Sequence, residues 1–176
     1  MKIVDLVRSS SALCLMTVPA TVAIAQSASD PAPVIEAFNE TCRRGFPNLE
    51  TVRLRAESQG WIRRSARMIA EGTDPRLRNV AMPEIYGKGD MMLVLSTPNA
   101  LSGKSSCGIS ASGKKTMDTA TLAAAVSAAL DGAQASIGKE RGVEAATWHL
   151  QSGLVVRASV SKPGRIRTVN LTVLTS

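Results

Sequence analysis

The sequence predicts an α+β fold, an antiparallel sheet of about five strands covered by two N-terminal helices and one internal helix. Three observations carry this reading. Apolar residues recur at helical spacing in 31–59 and again in 119–131, whereas in 105–111 and 146–173 they alternate with polar ones. Glycine and proline punctuate the joints between these stretches. Two cysteines, Cys42 and Cys107, fall one in each kind of stretch.

In chain order, residues 1–25 read as a signal peptide. Lys2 and Arg8 form a weakly positive head, an apolar run follows, and Ala23-Ile24-Ala25 supplies the small-x-small pattern for cleavage before Gln26. The run is short for a bilayer span of roughly 20 residues, and Pro19 interrupts it. Cys14 follows Leu13, where lipoprotein processing needs a small residue. Residues 26–33 form a flexible leader, and 34–176 form a single disulfide-stapled domain.

Helix one is expected over about 31–44. Ile35, Phe38 and Cys42 share one face, Asp30 can cap the start, and Gly45 with Pro47 ends it. Asn48 caps a second helix through about Gln59, with Leu49, Val52 and Ala56 as its stripe and Gly60-Trp61 at its end. Residues 62–89 hold repeated Gly and Pro and are expected to be mostly irregular, with a third short helix over Ile62–Ala70 as the one regular candidate. Met91–Ser96 is an apolar run suited to a central strand, and Pro98-Asn99 turns the chain. Over 105–111, Cys107, Ile109 and Ala111 alternate with small residues and face inward. Asp118 or Thr119 caps an alanine-rich helix through Asp131, with Leu122, Val126, Ala129 and Leu130 as its stripe and Gly132 at its end. A three-strand meander closes the chain, with Trp148, Val156, Ala158, Leu171 and Val173 inward and a type II turn at Lys162-Pro163-Gly164-Arg165.

The formal net charge is +7, and without the first 25 of the 176 residues it is +6. Cations and acids are interspersed, which describes a moderately basic surface and no polybasic tail. For an exported protein, periplasmic or secreted, the anionic neighbours are lipid head groups, lipopolysaccharide or cell-wall polymers. Nucleic acid is not expected as a partner, because export separates the two and aromatic platforms are scarce. An exported chain with two cysteines is expected to be oxidised. Their wide separation suits a structural bond and not the Cys-x-x-Cys spacing of redox enzymes.

Chemistry-bearing patterns are few. His149 is the one histidine, so no metal site and no cofactor is expected. Ser112-Gly113-Lys114-Lys115 matches Ser-x-x-Lys, but the Ser-Asp-Asn and Lys-Thr-Gly elements of penicillin-interacting enzymes are missing. Ser102-Gly103-Lys104-Ser105 mimics the end of a P-loop, but its first glycine would fall on Pro98. No catalytic residues are therefore assigned. Trp61 and Trp148 are expected to pack in the core of a chain with few large side chains; the alternative reading makes Trp61 beside Arg63, Arg64 and Arg67, with His149, a candidate ligand surface, where a ring and guanidinium groups could stack on a sugar or head group.

The pattern Ala37-Phe38…Cys42, then Gly60-Trp61, then Cys107-Gly108-Ile109 resembles a loose group of small exported two-cysteine proteins of alphaproteobacteria. They share a helix cysteine, a Gly-Trp after the second helix and a Cys-Gly-Val/Ile strand. The group is functionally uncharacterised, so the resemblance implies a host and a disulfide and brings no catalytic residues. The leading expectation is a non-enzymatic domain that binds an anionic envelope component or envelope protein. The alternatives are a small hydrolase using a serine and His149, and an inhibitor of an envelope hydrolase presenting residues 72–89 as a loop.

Overall fold

The computed structural model describes residues 30–64, 82–98, 103–113, 117–140, 142–161 and 167–176. The signal peptide, the first half of the leader, Arg67 and the Lys162–Arg165 turn lie outside these residues.

Two four-stranded antiparallel meanders meet edge to edge in one sheet. The first runs β1 (Ile62–Arg64), β2 (Glu84–Lys88), β3 (Met91–Ser96) and β4 (Ser106–Gly113). The second comprises β5 (Ser136–Glu140), β6 (Val143–His149), β7 (Leu154–Ser161) and β8 (Arg167–Thr175). The strand order is β1-β2-β3-β4-β8-β7-β6-β5, so β4 and β8 form the seam. All neighbouring strands are antiparallel. Among the described residues the sheet thus has eight strands where about five were expected. The three extra strands explain themselves physically. β1 and β2 occupy part of 62–89, where Gly and Pro density suggested irregular structure, and β5 is a Gly-containing segment without an apolar run. Their pairing comes from a neighbouring strand and not from local propensity. Ile62–Arg64 is accordingly strand and not the start of a third helix.

One face of the sheet carries the helices. The first rod starts as α1 (Ala32–Ala37) and continues as a π-helical turn over Phe38–Arg43. The Asp30 carboxylate accepts from the Ala32 N–H at 2.9 Å. Ile35, Phe38 and Cys42 are buried as their spacing requires. The wider π turn also buries Thr41, whose hydroxyl donates to the Gln59 side-chain oxygen at 2.6 Å. This rod packs on β4 and β8.

The second helix, α2 (Leu49–Ser58), starts at Asn48, whose side chain accepts from the N–H groups of Glu50 and Thr51. It ends in a Schellman closure, with Trp61 N–H donating to the Ala56 carbonyl, Gly60 N–H donating to that of Glu57, and Gly60 at φ 78°. The third, α3 (Thr119–Ala129), starts at Asp118, whose carboxylate accepts from the Thr121 N–H at 2.7 Å. That bond holds the Asp118 carboxyl below the usual carboxylate range. Here Asp131, at φ 56°, takes the left-handed position after the helix, and Gly132 N–H closes onto the Ser127 carbonyl. Helix α3 packs on β6 and β7.

The core is the layer between helices and sheet. It holds Phe38, Val52, Tyr86, Leu93, Ile109, Leu122, Trp148, Val156 and Leu171. Cys42 and Cys107 are bonded, with Cα atoms 5.5 Å apart. The bond ties the first rod to the seam strand β4, and both residues are fully buried.

Gly45 has a role beyond stopping a helix. A Cβ there would stand 2.8 Å from Val52 Cγ2 and 3.1 Å from the Val52 N and Cα atoms. Backbone atoms of α2 cannot give way to it, so the turn and α2 meet closely only because residue 45 lacks a side chain. Gly45→Ala is expected to cost about 2 kcal/mol, read as a lower denaturant midpoint at unchanged slope.

Candidate functional site

The predicted ligand surface does not assemble as one patch. Trp61 is 4% exposed, so its ring packs in the core and offers no stacking face. Among the described residues its Nε1 has no hydrogen-bond partner, and neither has Nε of Arg55. Arg63 pairs in register with Tyr86 and so stands on the helix-covered side of the sheet, whereas Arg64 pairs with Ile85 and stands on the opposite side. His149 is exposed on β6, six inter-strand steps from β1, which is about 29 Å. Trp148 next to it points inward and donates its Nε1–H to the Ser127 hydroxyl of α3 at 3.0 Å. Both tryptophans are therefore core residues.

Where Arg63 lies, the helix-covered side holds a polar cluster. The Arg53 guanidinium of α2 reaches Glu84 of β2 through Nη2 at 2.6 Å and Nε at 3.0 Å. Its Nη1 donates to Glu50 at 2.8 Å. The Tyr86 hydroxyl donates to the same Glu84 carboxylate at 2.9 Å, and Arg63 Nη2 lies 3.6 Å from it. The Arg53 hydrogen bonds outweigh desolvation and hold the Glu84 carboxyl below its usual range. Burial first, and then the bond to Glu84, push the Tyr86 phenol up. Glu84 is thus locked as an anion and Tyr86 as a neutral donor. Neither group is poised to exchange a proton near neutral pH, so the cluster is a clamp between α2 and β2 and not an acid–base pair.

A groove of about 810 Å³ runs between the first rod and α3. Ile35 and Ala129 contribute apolar wall, and Glu40, Arg43 and Arg44 line its polar side. These charges answer one another. Arg44 lies 2.7 Å from Glu40, and Arg43 donates to the Ala129 carbonyl at 3.0 Å and lies 3.7 Å from Asp131. Among the described residues, no three His, Cys, Asp or Glu side chains gather in a way that could hold a metal ion. No helix among them is long and apolar enough to cross a membrane.

The helix-free face of the sheet has a different character. The register aligns Gly108, Thr172, Arg157 and Thr147 in one row across β4, β8, β7 and β6. The next row carries Ser110, Asn170, Ser159 and Ala145. Hydroxyl and amide groups therefore line the middle of this face, and most of these residues are half-buried. Arg157 sits diagonally from His149, because its direct partner is Thr147. Arg64 lies at the β1 end, with its guanidinium folded over Gly87: a Cβ on that glycine would stand 2.8 Å from Arg64 Nε. In β1–β4 and β6–β8 no position on this face is acidic. Two of the expected surface residues, Arg64 and His149, thus share this face at opposite ends of the sheet, and Arg157 lies on it near His149. Alternation could have identified Arg157, which stands between the inward residues Val156 and Ala158.

Comparison with known proteins finds no matching family model, no similar curated protein and no similar solved structure.

Proposed function

We propose that this chain is an exported, non-enzymatic binding domain whose helix-free sheet face takes an anionic component of the cell envelope. The observation that carries the reading is the composition of that face: Arg157 within rows of Ser, Thr and Asn on β4, β8, β7 and β6, Arg64 on the same face at the β1 edge, and no acidic position in seven of its eight strands. Hydroxyls and amides can donate to phosphate, carboxylate or sugar oxygens, and guanidinium groups add charge-assisted bonds. The buried disulfide fits an oxidising compartment outside the cytoplasm. His149 has no carboxylate or nucleophile placed against it by any described contact, so the reading gives it no chemical step.

The test is co-sedimentation of the oxidised protein with vesicles of anionic phospholipid, vesicles of neutral phospholipid, and peptidoglycan sacculi, across a salt series. Binding to one of the anionic materials, weakening with salt, is expected. Arginines near an anionic surface contribute about 1 kcal/mol each, so Arg64→Ala with Arg157→Ala should weaken binding about thirtyfold. His149→Ala should leave it unchanged. Equal retention on neutral vesicles, or indifference to the two arginines, would sink the proposal.

A further inference from the structure

The two outer edges of the sheet are built differently. Edge strand β1 has three residues, two of them Arg63 and Arg64, which is a short, charged edge of the kind that resists pairing. Edge strand β5 has five residues, and Ser136, Ile137, Gly138 and Lys139 are all exposed. Ile137 is 52% exposed although the register places it on the helix-covered side, opposite Ala146. Among the described residues the main neighbour of β5 is β6.

The hydrogen-bond phase of β5 follows from β6. Leu150 N–H donates to the Leu154 carbonyl at 2.8 Å, so even-numbered positions along β6 bond toward β7. Odd-numbered Val143, Ala145 and Thr147 therefore bond toward β5, where their partners are Glu140, Gly138 and Ser136. The N–H and C=O groups of Ile137 and Lys139 are left pointing to the open edge.

We infer that this edge pairs with β5 of a second copy, making one continuous antiparallel sheet across a two-fold axis at Gly138. A two-fold axis perpendicular to the sheet pairs only residues that share a face, which leaves three registers centred on residues 137, 138 or 139. Centring on 139 sets Lys139 against Lys139 of the other copy, and like charges directly opposite are destabilising. Centring on 137 sets Ile137 against itself and leaves Lys139 opposite Ala135. Centring on 138 sets Ile137 opposite Lys139 twice, so the lysine stem covers the exposed isoleucine. Those are the residues whose backbone groups face outward, so both pairs become hydrogen-bonded pairs. Gly138 then meets Gly138 at the close, non-hydrogen-bonded position, where no side chain obstructs the approach.

Sedimentation velocity of the oxidised protein from micromolar to millimolar concentration reads the result. A concentration-dependent doubling of mass is expected. Lys139→Pro deletes an outward N–H that the monomer does not use, so the dimer is lost while the thermal melt of the monomer is kept. Should that variant fold poorly, Ile137→Lys serves instead: it sets two lysines opposite each other and abolishes the dimer. Ile137→Lys with Lys139→Glu sets Lys against Glu and restores it. A protein monomeric at millimolar concentration overturns the inference. So does a dimer that survives both single variants, an Ile137→Lys dimer not rescued by the charge swap, or an edge that takes an unrelated extended peptide and never a second copy.

Discussion

Removing the Cys42–Cys107 bond should lower stability by about 4 kcal/mol. The bond closes a loop with a sequence separation of 65. Chain-entropy estimates for loops of that length give about this value, because the cross-link removes conformations from the unfolded chain. Its position raises what depends on it. The bond joins the π-helical turn of the first rod to β4, and β4 is the strand on which the second meander docks through β8. Both cysteines are fully buried, so Cys42→Ala with Cys107→Ala also leaves unfilled space in the core beside Val173, the register partner of Cys107. For a chain of this size the loss corresponds to a melting temperature lower by on the order of 10 °C. Calorimetry of oxidised protein against the double-alanine variant measures it. A difference below about 1 kcal/mol would mean that helix and seam hold each other without the bond.

Glu84→Ala should cost about 3 kcal/mol. The carboxylate accepts from Arg53 and from the buried Tyr86 hydroxyl, and Arg63 adds a more distant charge. Truncation leaves the Tyr86 hydroxyl without its acceptor and the Arg53 guanidinium with Glu50 alone, and removing one partner of such a pair costs more than the pair itself contributes. The figure lies at the low end for buried pairs because both side chains keep some contact with water, 19% for Glu84 and 29% for Arg53. The same bonds give a pH signature. The folded carboxyl is held below its usual value, chiefly by Arg53. Its contribution is therefore complete above the unfolded value of about 4.3 and is lost as pH falls through the folded value. The Tyr86 phenol is pushed up, so its contribution is complete below about pH 10 and is lost as pH rises through its folded value. Glu84→Gln, which keeps the shape and cannot ionise, should flatten the acid limb of a stability–pH curve. An unchanged acid limb would show that other carboxylates govern it.

Several elements are legible from periodicity because their signal is local. The spacing of Ile35, Phe38 and Cys42 marks a buried face, and the structure buries all three. Asn48 and Asp118 are legible as helix starts, since a short acceptor side chain satisfies N–H groups two or three residues ahead. The alternation from Ala146 to Val173 reads directly as β6, β7 and β8. Strands β1, β2 and β5 are not legible in this way. They contain Arg, Glu, Gly and Lys and no apolar run, and each is a strand because a neighbour offers backbone partners. Part of the segment considered as an inhibitory loop, Glu84–Lys88, is for this reason a paired strand.

The candidate surface divides along the same line. Adjacency along the chain leaves Trp61 beside arginines open as a stacking platform, although core packing is the favoured reading, and the structure buries it. The Schellman closure after α2 turns the ring inward and separates Arg63 from Arg64 by one pleat. Alternation places Arg157 on the outward face of its strand, and register then sets it beside Thr172 and Thr147.

The sequence by itself determined the α+β class, two N-terminal helices and an internal one, the inward faces of the central strands, and the burial of both cysteines. Each of these follows from burying apolar residues repeated at one fixed period. Only the tertiary structure decided that the sheet has eight strands, that two meanders meet at β4 and β8, and which charged residues share a face. Those outcomes rest on hydrogen bonds between segments far apart in the chain, and no local period records which strand will lie beside which.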